Sequence, residues 1–301
     1  MIRVLMLDLG DTLIDGNKHL FAHVPQALEI LRGFETEAHE PLSLCLVSDY
    51  YMPTADRTVE DIFQEYVSLL ENLNLRQFFE PVERHVTLST QAGVNKPKRR
   101  IFELAVERLG LDARLDECLF ITENAGHTKS ARRLGIKTLL FGETGAEAGF
   151  GDWSEAPLLI AQMVNPESMS NLESALRLRL AVEHDLELIF VSEKSGDGIV
   201  RAQANKSHSL PVSGSESGRN SIVTIPVNVE VEMNNRGRIL AVDSEEPDKE
   251  TLDEAAHYIK TLDDNKQISR KKGPLGAGET HRETVNEKGE KRIKRERFTA
   301  F

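Results

Sequence analysis

The chain has little cysteine, only Cys45 and Cys118 among 301 residues, a single tryptophan, and 6% aromatics. It has no apolar run near the roughly 18 residues that a membrane span needs. Two thiols are too few for a disulfide framework or a thiolate metal site, which fits a reducing compartment. Both lie inside apolar stretches, where burial makes a thiol an inert packing group. The start, MIRVLMLDLGDTL, carries Arg3 and reaches Asp8 too early for a signal peptide. The expectation is a cytoplasmic protein with no membrane segment. Positive charge is scarce too, with 37 Lys and Arg against 49 Asp and Glu, a net of −12. A body of that charge does not coat nucleic acid or acidic lipid. The deficit is uneven. Residues 265–301 hold 11 Lys and Arg against 5 Glu, net +6, which leaves −18 on the rest.

What is present is ordinary for a folded protein: 40% hydrophobic and 29% charged residues, over a length that suits more than one domain. In the first half, short apolar runs (Ile2–Leu7, Leu42–Val47, His85–Leu88, Cys118–Ile121, Thr138–Phe141) alternate with segments of helical spacing (Leu20–Arg32, Val59–Leu73, Arg99–Leu109, Thr128–Leu134). Gly110 and Gly135 stand where helix C-caps belong. This alternation predicts an α/β doubly wound parallel sheet over residues 1–142. Residues 143–185 read as a helical connection, with helices at Ser154–Met163 and Ser170–Val182. Trp153, at its start, is expected to pack between domains. Residues 186–264 carry period-two runs at Leu186–Glu193, Ile199–Ala204, Ile222–Met233 and Ile239–Val242, a turn at Asn234–Gly237 and a helix at Leu252–Leu262. They predict a small α+β domain. Residues 265–301, dense in charge and poor in apolar groups, predict a disordered basic tail: a solvated end, or an arm that meets nucleic acid, an acidic partner, or the acidic body of its own or a sister chain.

The chemistry-bearing residues gather at the ends of the predicted strands. Asp8 closes the first run, in Leu7-Asp8-Leu9-Gly10-Asp11-Thr12. Ser48 closes the second. Lys96 opens Lys96-Pro97-Lys98-Arg99-Arg100-Ile101-Phe102, and Glu123 follows Leu119-Phe120-Ile121-Thr122. Open α/β sheets bind ligands at the carboxyl ends of their strands, which is where all four belong.

In these stretches, over residues 1–142, the chain resembles the haloacid dehalogenase superfamily of hydrolases, most of which are magnesium-dependent phosphatases. The stretch Gly93–Leu109 is the most specific part, similar to the family's third motif and the helix after it. The resemblance implies a phosphatase acting on a phosphorylated small molecule or macromolecule. It makes Asp8 the nucleophile that forms an aspartyl-phosphate, Ser48 the hydroxyl that holds a phosphoryl oxygen and Lys96 the neutralising cation. It makes Asp8, the Gly10 carbonyl and Glu123 the ligands of Mg²⁺.

Two departures stand beside it. The family's phosphatases carry a second Asp two residues after the nucleophile as general acid and base, and Gly10 occupies that place. Asp11 substitutes only if the backbone loops to bring it round, since side chains three apart leave a strand on opposite faces. The fourth motif reads Thr122-Glu123 where the family usually shows Gly-Asp, with His127 and Thr128 where a further acid is expected. A catalytically impaired relative that binds through its second domain and basic tail is therefore the alternative. Asp8 and Ser48 are 40 residues apart and Ser48 and Lys96 are 48 apart. The core's own helices use nearly all of that, so a capless site is expected, with the α+β domain as either a lid or a separate binding module.

Overall fold

The computed structural model describes residues 1–142, 149–211, 220–271, 274–276, 278–285 and 291–295. The chain divides into two compact units: residues 1–182 with 233–239, and residues 183–232 with 240–301. The connection expected at 143–185 thus falls almost wholly within the first unit.

The first unit is built on six strands: β1 (Val4–Leu7), β2 (Ser43–Ser48), β3 (Val86–Leu88), β4 (Cys118–Thr122), β5 (Lys137–Phe141) and β6 (Gly149–Phe150). They form one parallel sheet in the order β3-β2-β1-β4-β5-β6. Strands buried on both faces need to be apolar throughout, and β1 and β4 are buried along their full length. Around them run α1 (Val24–Arg32), α2 (Val59–Asn72), the single turns α3 (Val82–His85) and α4 (Ser89–Ala92), α5 (Arg99–Leu109), α6 (Ala125–Arg133), α7 (Ala156–Val164) and α8 (Met169–His184). The doubly wound sheet read from the sequence is therefore present.

Helix α1 starts four residues later than its spacing suggests. Pro25 takes the first turn, where its fixed φ suits a helix, and His23 precedes it at φ 65°. The residues before it go elsewhere. After Asp8 the chain makes one tight turn, with Leu13 and Ile14 N–H both donating to Leu9 O, and then a short hairpin that pairs Ile14 with Leu20. Apart from this hairpin, only the sheet's own helices and loops separate Asp8, Ser48 and Lys96, in keeping with a capless core.

Side chains alternate across a strand, and the parity is visible in the packing. Val4, Met6, Cys45, Val47, Cys118 and Phe120 face α5, which buries Ile101, Phe102, Ala105, Val106 and Leu109 against them. Cys45 and Cys118 sit in this layer. Burial pushes both thiols up, Cys118 to about 12, so neither is a nucleophile at neutral pH. Trp153, fully buried, corrects an expectation. It packs on Phe141 and Phe150 inside the first unit, and its indole N–H donates to Thr12 O at 2.9 Å.

The second unit holds β7 (Leu186–Lys194), β8 (Ile199–Pro211), β9 (Asn220–Met233), β10 (Ile239–Ser244) and α9 (Lys249–Asp264), with Asp248 capping α9 through Thr251 N–H. Strands β7, β8 and β9 are antiparallel neighbours, and β10 pairs with β9. Alternate residues Val200, Ala202 and Ala204 on β8, and Val227, Val229 and Val231 on β9, are buried, as are Ile259 and Leu262 of α9. This is the small α+β domain expected.

The tail is a correction. Residues read as a disordered arm form β11 (Ile268–Ser269), β12 (His281–Val285) and β13 (Lys291–Arg295) of this same sheet, with β12 antiparallel to β13 and β13 beside β9. The ladder uses backbone N–H and C=O, which charge-rich composition does not weigh. Ion pairs help: Arg270 reaches Asp263 at 2.6 Å and Glu283 at 3.3 Å. Residues 272–273, 277, 286–290 and 296–301 of the tail lie outside the described residues. Among the described residues no helix is long and apolar enough to cross a membrane.

Candidate active site

Strand order reverses at β1. The chain lays β2 and β3 on one side of it, then β4 and β5 on the other, and the crevice at such a switch lies at the strands' carboxyl ends. Asp8 is the first residue beyond β1. It continues the parity of Val4 and Met6, so its side chain leaves on the side from which α5 is approached. Lys96 comes from that side, in the loop leading to α5, and its backbone N–H is held by Asp49 Oδ1 at 2.8 Å. The two meet as a buried ion pair, Nζ to Oδ2 at 2.5 Å, with Asp8 only 7% and Lys96 only 6% exposed.

Both groups are held by further contacts. Lys96 Nζ donates to Val47 O at 3.0 Å and lies 5.7 Å from the Phe120 ring centroid. An ammonium has three N–H bonds, so carboxylate and carbonyl leave one for an incoming anion. The two oxygens of Asp8 are not equivalent. Among the described residues, Oδ2 takes Lys96 and the Thr122 hydroxyl at 3.0 Å, whereas Oδ1 takes only the Leu9 N–H at 2.9 Å. Oδ1 is the oxygen with lone pairs to spare.

Glu123 closes the other side. Its Oε2 accepts from Thr12 Oγ1 at 2.7 Å and from Thr122 Oγ1 at 3.0 Å, and its N–H donates to Thr12 Oγ1 at 3.1 Å. Thr122 has one proton and stands within reach of both carboxylates. Burial pushes Asp8 above the usual carboxylate range, Lys96 opposes it, and the charge of Glu123 adds to the rise. Two carboxylates this close, with one hydroxyl between them, form a place that a cation would relieve. The donors of the two carboxylates and the hydroxyl are oxygen, and that chemistry suits a hard divalent ion. The protein offers two carboxylates there; among the described residues, no three His, Cys, Asp or Glu side chains gather to hold a metal.

Ser48 ends β2, where it pairs with Leu88 of β3, and is 3% exposed. Its parity is opposite to that of Val47, and it meets Tyr66 of α2, Oγ to Oη at 2.7 Å. Asp11 stands apart. It is exposed at φ 51°, and among the described residues no hydrogen bond or ion pair ties it to Asp8, Ser48 or Lys96. Thr12, Thr122, Asp49 and Tyr66 were not singled out from sequence. Thr122 could have been, because it shares the parity of Cys118 and Phe120 at the end of β4; a tyrosine on the apolar face of α2 carries no such sign.

The coupling between Lys96 and Asp8 fixes the sign of one pH effect. Lys96→Met removes the cation that favours the charged form. The Asp8 carboxyl should therefore titrate at higher pH than in the unmodified chain, measured by ¹³C NMR of the aspartate carboxyls; a titration that stays put or moves to lower pH would show that Lys96 does not govern Asp8.

No protein-family model matches the chain, and no curated protein does. Solved structures similar to it include a HAD-superfamily hydrolase from Ehrlichia chaffeensis, 14% identical, covering 55% of this chain and 100% of that one at a TM-score of 0.40. A HAD phosphatase from Thermococcus onnurineus is 17% identical and covers 47% of this chain and 58% of that one, TM-score 0.34. L-2-haloacid dehalogenase from Xanthobacter autotrophicus is 16% identical, covering 60% and 89%, TM-score 0.35.

Proposed function

We propose that the first unit is a hydrolase of the haloacid dehalogenase type that cleaves phosphate esters through an aspartyl-phosphate at Asp8. The observation that carries this reading is the buried Lys96–Asp8 pair at the switch point of the sheet, with one carboxylate oxygen taking Lys96 and Thr122 and the other taking the Leu9 N–H. Asp8 Oδ1 attacks phosphorus, the bond to the ester oxygen breaks and the leaving group departs with that electron pair. Water then attacks phosphorus, the bond from phosphorus to Asp8 Oδ1 breaks, and inorganic phosphate leaves with the water's oxygen while the carboxylate is restored. The remaining N–H of Lys96 and the hydroxyl of Ser48 neutralise and hold the phosphoryl oxygens. Mg²⁺, held by Asp8, the Gly10 carbonyl and Glu123, would supply charge neutralisation at the phosphoryl group.

With no cap domain inserted between Asp8 and Lys96, the substrate on this reading is a phosphorylated small molecule or macromolecule. The leaving group has no side-chain acid at position 10 to protonate it. That gap sustains the second reading, a relative that kept the fold for binding and lost turnover. The test is stoichiometric capture of beryllofluoride with Mg²⁺, followed by ¹⁹F NMR. A 1:1 adduct that disappears in Asp8→Asn supports the enzyme, and no adduct in the unmodified chain excludes it.

A further inference from the structure

We propose that Tyr66 is the positioning residue for Ser48: its phenol donates to Ser48 Oγ and so turns the serine's own proton outward, to the phosphoryl oxygen. The inference rests on the reading above, in which Ser48 holds that oxygen.

It starts from a count of protons. Each hydroxyl has one, and the two oxygens lie 2.7 Å apart, the usual O–H···O separation. If serine were the donor, the phenol proton would be left in an enclosed place with no other hydrogen-bond partner among the described residues, an expensive way to bury a polar group. If the phenol donates, its proton is satisfied and the serine proton is released toward the strand ends, where an anionic oxygen would accept it. Tyr66 is 1% exposed, and burial together with the charge of Asp8 pushes its phenol far above the usual value, so it remains a donor at every working pH. The ring is held as firmly as the hydroxyl. Helix α2 buries Ile62, Phe63, Val67 and Leu70 on the same face, its N-terminus is closed by the reciprocal Thr58–Asp61 cap, and Tyr50 packs edge-on at 5.1 Å. A serine alone would sample its rotamers; one that accepts from a fixed phenol has its donor direction set.

The experiment measures binding of inorganic phosphate to the full, Mg²⁺-loaded chain by titration calorimetry, for Tyr66→Phe, Ser48→Ala and both together. Tyr66→Phe keeps the ring and should weaken phosphate by about five- to twentyfold. Ser48→Ala should weaken it by at least as much. In the Ser48→Ala background the second change should then cost less than about twofold, because the phenol acts only through the serine. Equal losses in both backgrounds would show that the phenol merely packs, and would overturn the proposal. So would an unchanged affinity in Tyr66→Phe beside a weakened Ser48→Ala, with the role of Ser48 left standing. If Ser48→Ala binds phosphate normally, the serine's role itself fails and the proposal fails with it. Tyr66→Met, which also removes the hydroxyl, answers the same question should the phenylalanine chain not fold.

Discussion

Asp8→Asn should cut turnover of an aryl phosphate by at least about 10³-fold, as loss of a nucleophile that works in concert with its neighbours does. The amide is the same size and can still accept from Lys96 and Thr122, so the fold should survive. It lacks the negative charge that the proposed attack on phosphorus needs and that faces Lys96 at 2.5 Å. Leaving one member of a buried pair uncompensated costs up to about 3–5 kcal/mol. Here Val47 O still accepts from the ammonium, so the loss should fall below that ceiling. Hydrolysis rates and a thermal melt on the same preparation separate the two effects. Activity within tenfold of the unmodified chain would remove Asp8 from the mechanism.

Gly10→Asp should produce the opposite kind of change. An aryl ester leaves as a stable phenolate and needs little protonation, whereas an alkyl ester needs a great deal. A well-placed general acid is worth about 10²–10⁴ in rate. With glycine in place, the chain should hydrolyse aryl esters far faster than alkyl ones. The substitution should raise the alkyl rate by a large part of that factor and leave the aryl rate nearly as it was. There is room for it, since a Cβ built on Gly10 meets nothing within 4 Å. Paired rate measurements on a phenyl and an ethyl phosphate decide the matter. Comparable rates for the two in the unmodified chain would mean that another acid already serves, and Asp11 is then the residue to substitute.

Much of the first unit was legible because both of its signals are local. Apolar runs four to six residues long, between helices of clear spacing, leave few arrangements other than a parallel sheet, and the observed limits of α5 coincide with the expected Arg99–Leu109. The positions of Asp8 and Glu123 follow from standing just past a strand, and that of Lys96 from the loop just ahead of a helix. Less visible was what depends on contact across the fold. Thr12 meets Glu123 over 111 residues, and Ser48 meets Tyr66 through a helix whose apolar face looks like any other. The tail shows the complementary weakness. His281–Val285 and Lys291–Arg295 have little to bury, and their pairing is carried by backbone groups that every residue possesses. Composition is blind to that.

Trp153 gives the chain a built-in optical reporter. It is the sole tryptophan, and its indole N–H is fastened to the carbonyl of Thr12, whose hydroxyl is fastened in turn to Glu123. An enclosed indole emits toward the blue, and its yield is sensitive to the hydrogen bond on its nitrogen. Any event that shifts the turn after Asp8, whether a cation at Glu123 or a phosphoryl group on Asp8, should therefore be readable in intrinsic fluorescence, without a label and in real time.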